Sequence, residues 1–191
     1  MKALVNNRSK RLSKKIGVAL SYLTSFRQKI VGTDVKPSKE VEISTMFCTL
    51  TGALNRIGLL KFFDQIVPTD LKKMSIIFIE TDYMSDNESN FPKDESDKSL
   101  QSFYTEILNI CGSRDLIARW DSKDFVLICP EVPVESAVNL ANKMSKTINN
   151  KYWKKGPKIS CNSGATQVNG EDLHYLINNI KKELYKAKKA A

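Results

Sequence analysis

Arg119-Trp120-Asp121-Ser122-Lys123-Asp124-Phe125 lies between two short apolar segments, Leu116-Ile117-Ala118 before it and Val126-Leu127-Ile128-Cys129 after it. Apolar runs flanking a polar turn predict a β-hairpin with Asp121-Ser122 near its tip. Asp and Ser tolerate the backbone angles of such a tip, where Gly would adopt them at least cost. Upstream, Ile76-Ile77-Phe78-Ile79 runs directly into Glu80-Thr81-Asp82. A near-continuous apolar run ending in two carboxylates is the pattern of a buried central strand that delivers acids to a site. The same residues also suit acids at a merely exposed strand end.

Composition frames these two segments. The chain has 191 residues, 41% of them apolar, which suits one domain plus an extension with a proper core. No apolar run approaches the roughly 18 to 20 residues needed to span a bilayer, and the N-terminus lacks a signal-peptide core. A cytoplasmic location is expected, or one peripheral to the inner membrane through a partner. Cys48, Cys111, Cys129 and Cys161 stand singly, with no CxxC pair, so reduced and mostly buried thiols are expected rather than a zinc site.

The net charge of +9 is concentrated at one end. Residues 1–33 hold eight basic residues and no acid, leaving 22 basic against 21 acidic residues in the rest. A basic arm on a neutral body suits an acidic protein partner or an anionic membrane surface, or is a solvated helix face. Nucleic acid is not the expected partner. Within the arm, Leu12, Ile16, Ala19, Leu23, Phe26 and Ile30 recur at spacings of four and three, predicting one apolar seam along a helix. That seam suits a short coiled coil, packing on the chain's own body, or a protein partner. Gly32-Thr33-Asp34 and Pro37-Ser38 end it, so residues 1–35 read as an arm and 36–191 as a domain.

The domain alternates helix and strand patterns. Leu50-Thr51-Gly52-Ala53-Leu54-Asn55-Arg56 opens a helix with Leu59, Leu60, Phe63 and Ile66 on one side, and the strand of Ile76–Ile79 follows. Asp86 to Glu95 is so polar that it reads as a loop. Leu100, Phe103, Ile107 and Ile110 mark the helix before the hairpin, and Val134, Ala137, Ala141, Met144 and Ile148 the one after Pro133. Lys158-Ile159-Ser160-Cys161-Asn162-Ser163-Gly164-Ala165 is a small-residue strand, and Leu173, Leu176, Ile177, Ile180 and Leu184 mark a last helix. His174, the sole histidine, falls on that helix's polar side and receives no role.

Five of these segments together resemble the GGDEF family, the diguanylate cyclases, over roughly residues 44 to 190. Leu50–Arg56 is similar to the entry motif D-x-L-T-G-L-x-N-R, with Cys48 where the Asp belongs. Glu80-Thr81-Asp82 stands at the family's D-x-D, Ser96-Asp97-Lys98-Ser99-Leu100 at its G-D-x-x-L, and Arg119–Phe125 at the signature loop. Leu184-Tyr185-Lys186-Ala187-Lys188 matches the A-L-Y-x-A-K ending. The resemblance implies an α+β domain preceded by the N-terminal helix. Its centre is a mostly antiparallel, five-stranded sheet with helices on both faces, a nucleotide-cyclase palm.

In working relatives, the loop glycines let the backbone approach GTP, and the acid after them joins the strand-end Asp in holding two divalent cations. Here Asp121 and Ser122 replace both glycines, Lys123 replaces the metal-binding acid, and Asp124 is kept before Phe125. The resemblance therefore implies a vestigial loop (Asp121, Ser122, Lys123, Asp124), vestigial metal-site acids (Glu80, Asp82), no catalytic residues, no metal and no cofactor. Asp97, Lys188 and Glu88, which stands at a guanine-contacting Asn, are the candidates for nucleotide contact. The inhibitory R-x-x-D reads Gly112-Ser113-Arg114-Asp115, so Asp115 is kept, its Arg is Gly112, and Arg114 is expected to point elsewhere.

Lys123 is expected among Glu80, Asp82 and Asp124, as a built-in cation balancing three acids. Three functions follow: a non-catalytic regulatory or scaffolding module in cyclic di-GMP or biofilm and exopolysaccharide control, a sensor that binds GTP or cyclic di-GMP without turnover, or a divergent cyclase.

Overall fold

The computed structural model describes residues 45–64, 66, 72–83, 92–153 and 157–190. The arm with its seam, the boundary near residue 35 and Glu88 lie outside the described residues. In chain order the elements are β1 (Leu54–Asn55), α1 (Arg56–Asp64), β2 (Met74–Tyr83), α2 (Lys93–Ile110), β3 (Leu116–Arg119), β4 (Asp124–Pro130), α3 (Val134–Asn149), β5 (Ile159–Gln167) and α4 (Leu173–Ala190). The strands form one sheet in the order β1-β3-β4-β2-β5. Only β1 and β3 pair in parallel; the other three ladders are antiparallel.

The entry motif is a structural device. Gly52 has φ of 75°, a conformation that favours glycine. There the chain folds back so that Cys48 N donates to Ala53 O at 2.8 Å and Gly52 N to Cys48 O at 2.8 Å. Asn55 then caps α1: its Oδ1 accepts from Gly58 N at 2.9 Å, while its Nδ2 donates to Thr45 O at 2.6 Å. Side-chain space at Gly58 is closed, because a Cβ there would collide with the backbone oxygen of Met46.

β2 forms the spine. Ile76, Ile77, Phe78 and Ile79 are fully buried, as are Phe125, Val126, Leu127 and Ile128 on β4 beside it. Burial on both faces explains the continuous apolar runs in place of alternation. Ser163, Ile79 and Phe125 are cross-strand partners and share one face of the sheet. On it lie α2, with Phe103 and Phe125 ring centroids 5.3 Å apart, and α3, whose Ala141 O accepts from Ser163 Oγ at 2.8 Å. Gly164, Phe78 and Val126 share the opposite face, where α4 packs. The small-residue strand has its reason here: a Cβ on Gly164 would lie 2.8 Å from Ile180 Cγ2.

Two expectations change. Lys93, Asp94 and Glu95 read as loop by polarity but form the first turn of α2 after Pro92. Acids at a helix N-terminus complement its dipole, so polarity there is a helix-start signal. The thiols divide evenly: Cys129 and Cys161 are buried, whereas Cys48 and Cys111 are partly exposed. Among the described residues no helix is long and apolar enough to cross a membrane.

Candidate functional site

At the C-terminal end of β2, the β3–β4 hairpin folds its tip over the strand and leaves a cleft of about 280 Å³ lined by Glu80, Thr81, Asp82, Asp121, Ser122, Lys123 and Asp124. The fold thus gathers both strand-end acids and the whole vestigial loop at one place. Thr81 ties strand to hairpin, its Oγ1 donating to Lys123 O at 2.5 Å. The hairpin closes through Trp120 N to Asp124 O at 2.8 Å. Its tip is satisfied internally: Ser122 N donates to Asp121 Oδ1 at 2.8 Å, and Ser122 O accepts from Arg119 Nη2 at 2.6 Å.

Glu80 and Asp124 are direct cross-strand partners, so two carboxylates face the same side at neighbouring positions. Like charges so placed repel. Lysines from α4 offset that repulsion. Lys181 Nζ lies 2.8 Å from Asp124 Oδ2, a carboxylate only 14% exposed, and Lys188 Nζ lies 2.5 Å from Glu80 Oε2. Lys181 also sits 4.9 Å from the centroid of Phe78. Lys123 lines the cleft, and Asp124 and Glu80 form ion pairs with Lys181 and Lys188 of α4. No sequence signal marks Lys181, because packing alone sets its distance from Asp124, and the resemblance marks Lys188 for nucleotide contact rather than for an ion pair with Glu80.

The remaining positions fall outside the cleft lining. Asp97 lies on α2 and is partly exposed. Asp115 closes a turn on Gly112, whose N–H donates to its Oδ2 at 2.5 Å. Arg114 points away and pairs with Glu131. His174 acquires a role: Arg56 Nη2 donates to its Nδ1 at 3.3 Å, its ring meets Trp120 edge-on at 5.0 Å, and the Arg56 guanidinium lies 4.5 Å over the Trp120 ring. This stack pins α1, the hairpin and α4 together.

Cys48 sits behind the hairpin, 3.4 Å from Arg119 Nη1. Burial raises its pKa, but hydrogen bonds from Thr51 and Arg119 outweigh that and hold it below the usual thiol value. Burial drives Cys161 the other way, to about 12, outweighing a hydrogen bond with Ser145 that lowers it.

The residues present do not suit a divalent cation. An ammonium holds each of the two facing acids, and among the described residues no three His, Cys, Asp or Glu side chains are gathered to ligate a metal.

A mostly antiparallel five-stranded sheet with helices on both faces, and acids at the end of its central strand facing a hairpin tip, defines a domain of the nucleotide-cyclase palm class. The chain belongs to the GGDEF family: the family model described as "Diguanylate cyclase, GGDEF domain" matches residues 46–191. Among curated proteins it is similar to diguanylate cyclase DgcM of Escherichia coli K12, 22% identical over 157 residues, which cover 78% of this chain and 38% of DgcM. The chain thus matches well under half the length of that relative. Among solved structures, the GGDEF domain of DgcB from Caulobacter crescentus in complex with c-di-GMP aligns with a TM-score of 0.65 at 13% identity, covering 83% of this chain and 93% of that one. Diguanylate cyclase SiaD in complex with its activator SiaC from Pseudomonas aeruginosa aligns with a TM-score of 0.64 at 15% identity, covering 100% and 73%. At these identities the structural likeness supports the fold.

Proposed function

We propose that this chain is a non-catalytic GGDEF domain that works through protein contacts within cyclic di-GMP signalling, including biofilm or exopolysaccharide control. The observation that carries this reading is the hairpin tip. Asp121 and Ser122 place side chains where the resemblance calls for glycines, and the tip's backbone groups at Ser122 are spent on Asp121 and Arg119. A phosphate chain needs free N–H groups and close backbone approach, and this loop offers neither at Ser122. Lys123 adds a positive charge at the position of a metal-binding acid, which opposes a divalent ion at short range. SiaD, a relative in fold, is complexed with an activator protein, which supports a protein partner for this chain. The basic arm of residues 1–33 is the proposed handle by its charge.

Nucleotide binding without turnover is the second reading, favoured by the retained Asp97 and Lys188 and by the c-di-GMP complex of DgcB. Lys188 already pairs with Glu80, which weakens it. Incubation of the protein with GTP and magnesium or manganese, followed by chromatography, should yield no cyclic di-GMP. Product above a no-protein control, abolished by Asp124→Asn, overturns the non-catalytic reading. Calorimetric titration with GTP and with cyclic di-GMP separates the module from the sensor, since only the sensor gives a saturable isotherm.

A further inference from the structure

The cleft joins four acids, Glu80, Asp82, Asp121 and Asp124, with one lysine of its own lining, Lys123. By formal charge that lining is −3, and Lys181 and Lys188 bring it to −1. The two added charges are placed specifically. Each contacts one member of the cross-strand pair Glu80 and Asp124, the two acids that repel most directly. They are seven residues apart on α4, two helical turns, so both project from one face of the helix. The Lys181 ammonium also lies 4.9 Å from the centroid of the Phe78 ring, a cation–π contact that helps hold it over the sheet. Lys188 lies in the last turn of α4, where a cation complements the helix dipole.

We infer that Lys181 and Lys188 are the standing counterions of this cleft: they neutralise Glu80 and Asp124 in place of a divalent cation and thereby exclude such an ion. This rests on the non-catalytic reading above and deepens it. Any ligand of the cleft must then bind without a metal bridge. A magnesium or manganese ion would have to displace two ammonium groups already in contact with its oxygen ligands, beside a lining that carries the further positive charge of Lys123. Removing the α4 charges leaves the facing carboxylates Glu80 and Asp124 in a lining of formal charge −3 with Lys123 as its remaining cation, and a paired-carboxylate oxygen surface of that charge attracts a hard cation.

The test uses the full chain and manganese chloride as the probe. Lys181→Met with Lys188→Met keeps both aliphatic stems and removes both charges. Free Mn2+ is followed by electron paramagnetic resonance, and thermal melts are recorded with and without the ion. The wild type should show no saturable Mn2+ binding and no Mn2+-dependent melting temperature. The double variant should bind at least about tenfold more tightly, equivalent to about 1.4 kcal/mol, and should melt higher with Mn2+ than without, as a ligand of the folded state requires. Lys181→Arg with Lys188→Arg keeps the charges and should behave as wild type.

Equal Mn2+ affinity in wild type and the methionine variant overturns the inference, as does a folded methionine variant that neither binds nor is stabilised. If the double variant does not fold, Lys188→Met alone serves, because the exposed Lys188–Glu80 pair adds little stability. Cyclic di-GMP formation by the wild type would defeat the non-catalytic reading, whereas Mn2+ binding by the wild type without product defeats only this inference.

Discussion

Gly164→Ala tests whether the seat of α4 depends on one missing side chain. The added Cβ would lie 2.8 Å from Ile180 Cγ2 and 3.5 Å from Leu184 Cδ2. Cγ2 is bonded directly to the Ile180 Cβ and has no flexible end to swing aside, so α4 must shift or Ile180 must leave its rotamer. Overpacking of this kind costs about 1 to 3 kcal/mol. Replacing a strand glycine returns about 0.5 to 1 kcal/mol through the unfolded chain. From the middle of both ranges the net expectation is a loss of about 1 kcal/mol, or a fall in Tm of about 2 to 4 °C for a chain of this size.

Ile180→Ala removes the clashing methyl along with buried surface and by itself costs about 2 to 4 kcal/mol. In the Gly164→Ala background its cost should be smaller by about 1 kcal/mol or more, because it also relieves the clash. Urea melts of all four proteins, followed by circular dichroism at the helix band, give the coupling directly. Gly164→Ala as stable as wild type, or strictly additive costs in the double variant, refutes the packing argument.

Two further outcomes follow from local geometry. Asn55→Ala should lose about 1 to 2 kcal/mol in a urea melt, because it removes both the cap on Gly58 and the bond to Thr45 O, whereas a cap alone is typically worth about 1 kcal/mol. Among the thiols, Cys48 should be alkylated faster at neutral pH than Cys129 or Cys161, as peptide mapping after brief iodoacetamide treatment would show; equal rates would contradict the assigned environments. The raised pKa of Cys161 favours the folded state fully below the ordinary thiol range, and this contribution is lost as pH rises from there through about 12. The urea midpoint of wild type should therefore fall more steeply over that alkaline range than that of Cys161→Ala.

Much of the fold was legible because it rests on local chemistry. Apolar runs such as Ile76–Ile79 announce a strand buried on both faces, and the hairpin of Arg119–Phe125 follows from a polar turn between apolar segments. The sequence also brought Glu80, Asp82 and the loop Asp121–Asp124 into one site, through resemblance more than through periodicity. The helical start at Lys93–Glu95 was local too, since its acids complement the dipole of α2, but polarity by itself reads equally as loop. Two things were decided only by tertiary structure. His174 was unremarkable on its own helix and gained its partners, Arg56 and Trp120, from elements 118 and 54 residues away. Lys181 and Lys188 reached Asp124 and Glu80 only because Gly164 lets α4 lie close against the sheet. Strand and turn signals span a few residues and survive in the sequence alone, whereas an ion pair between residues 57 or 108 positions apart depends on how two finished elements pack.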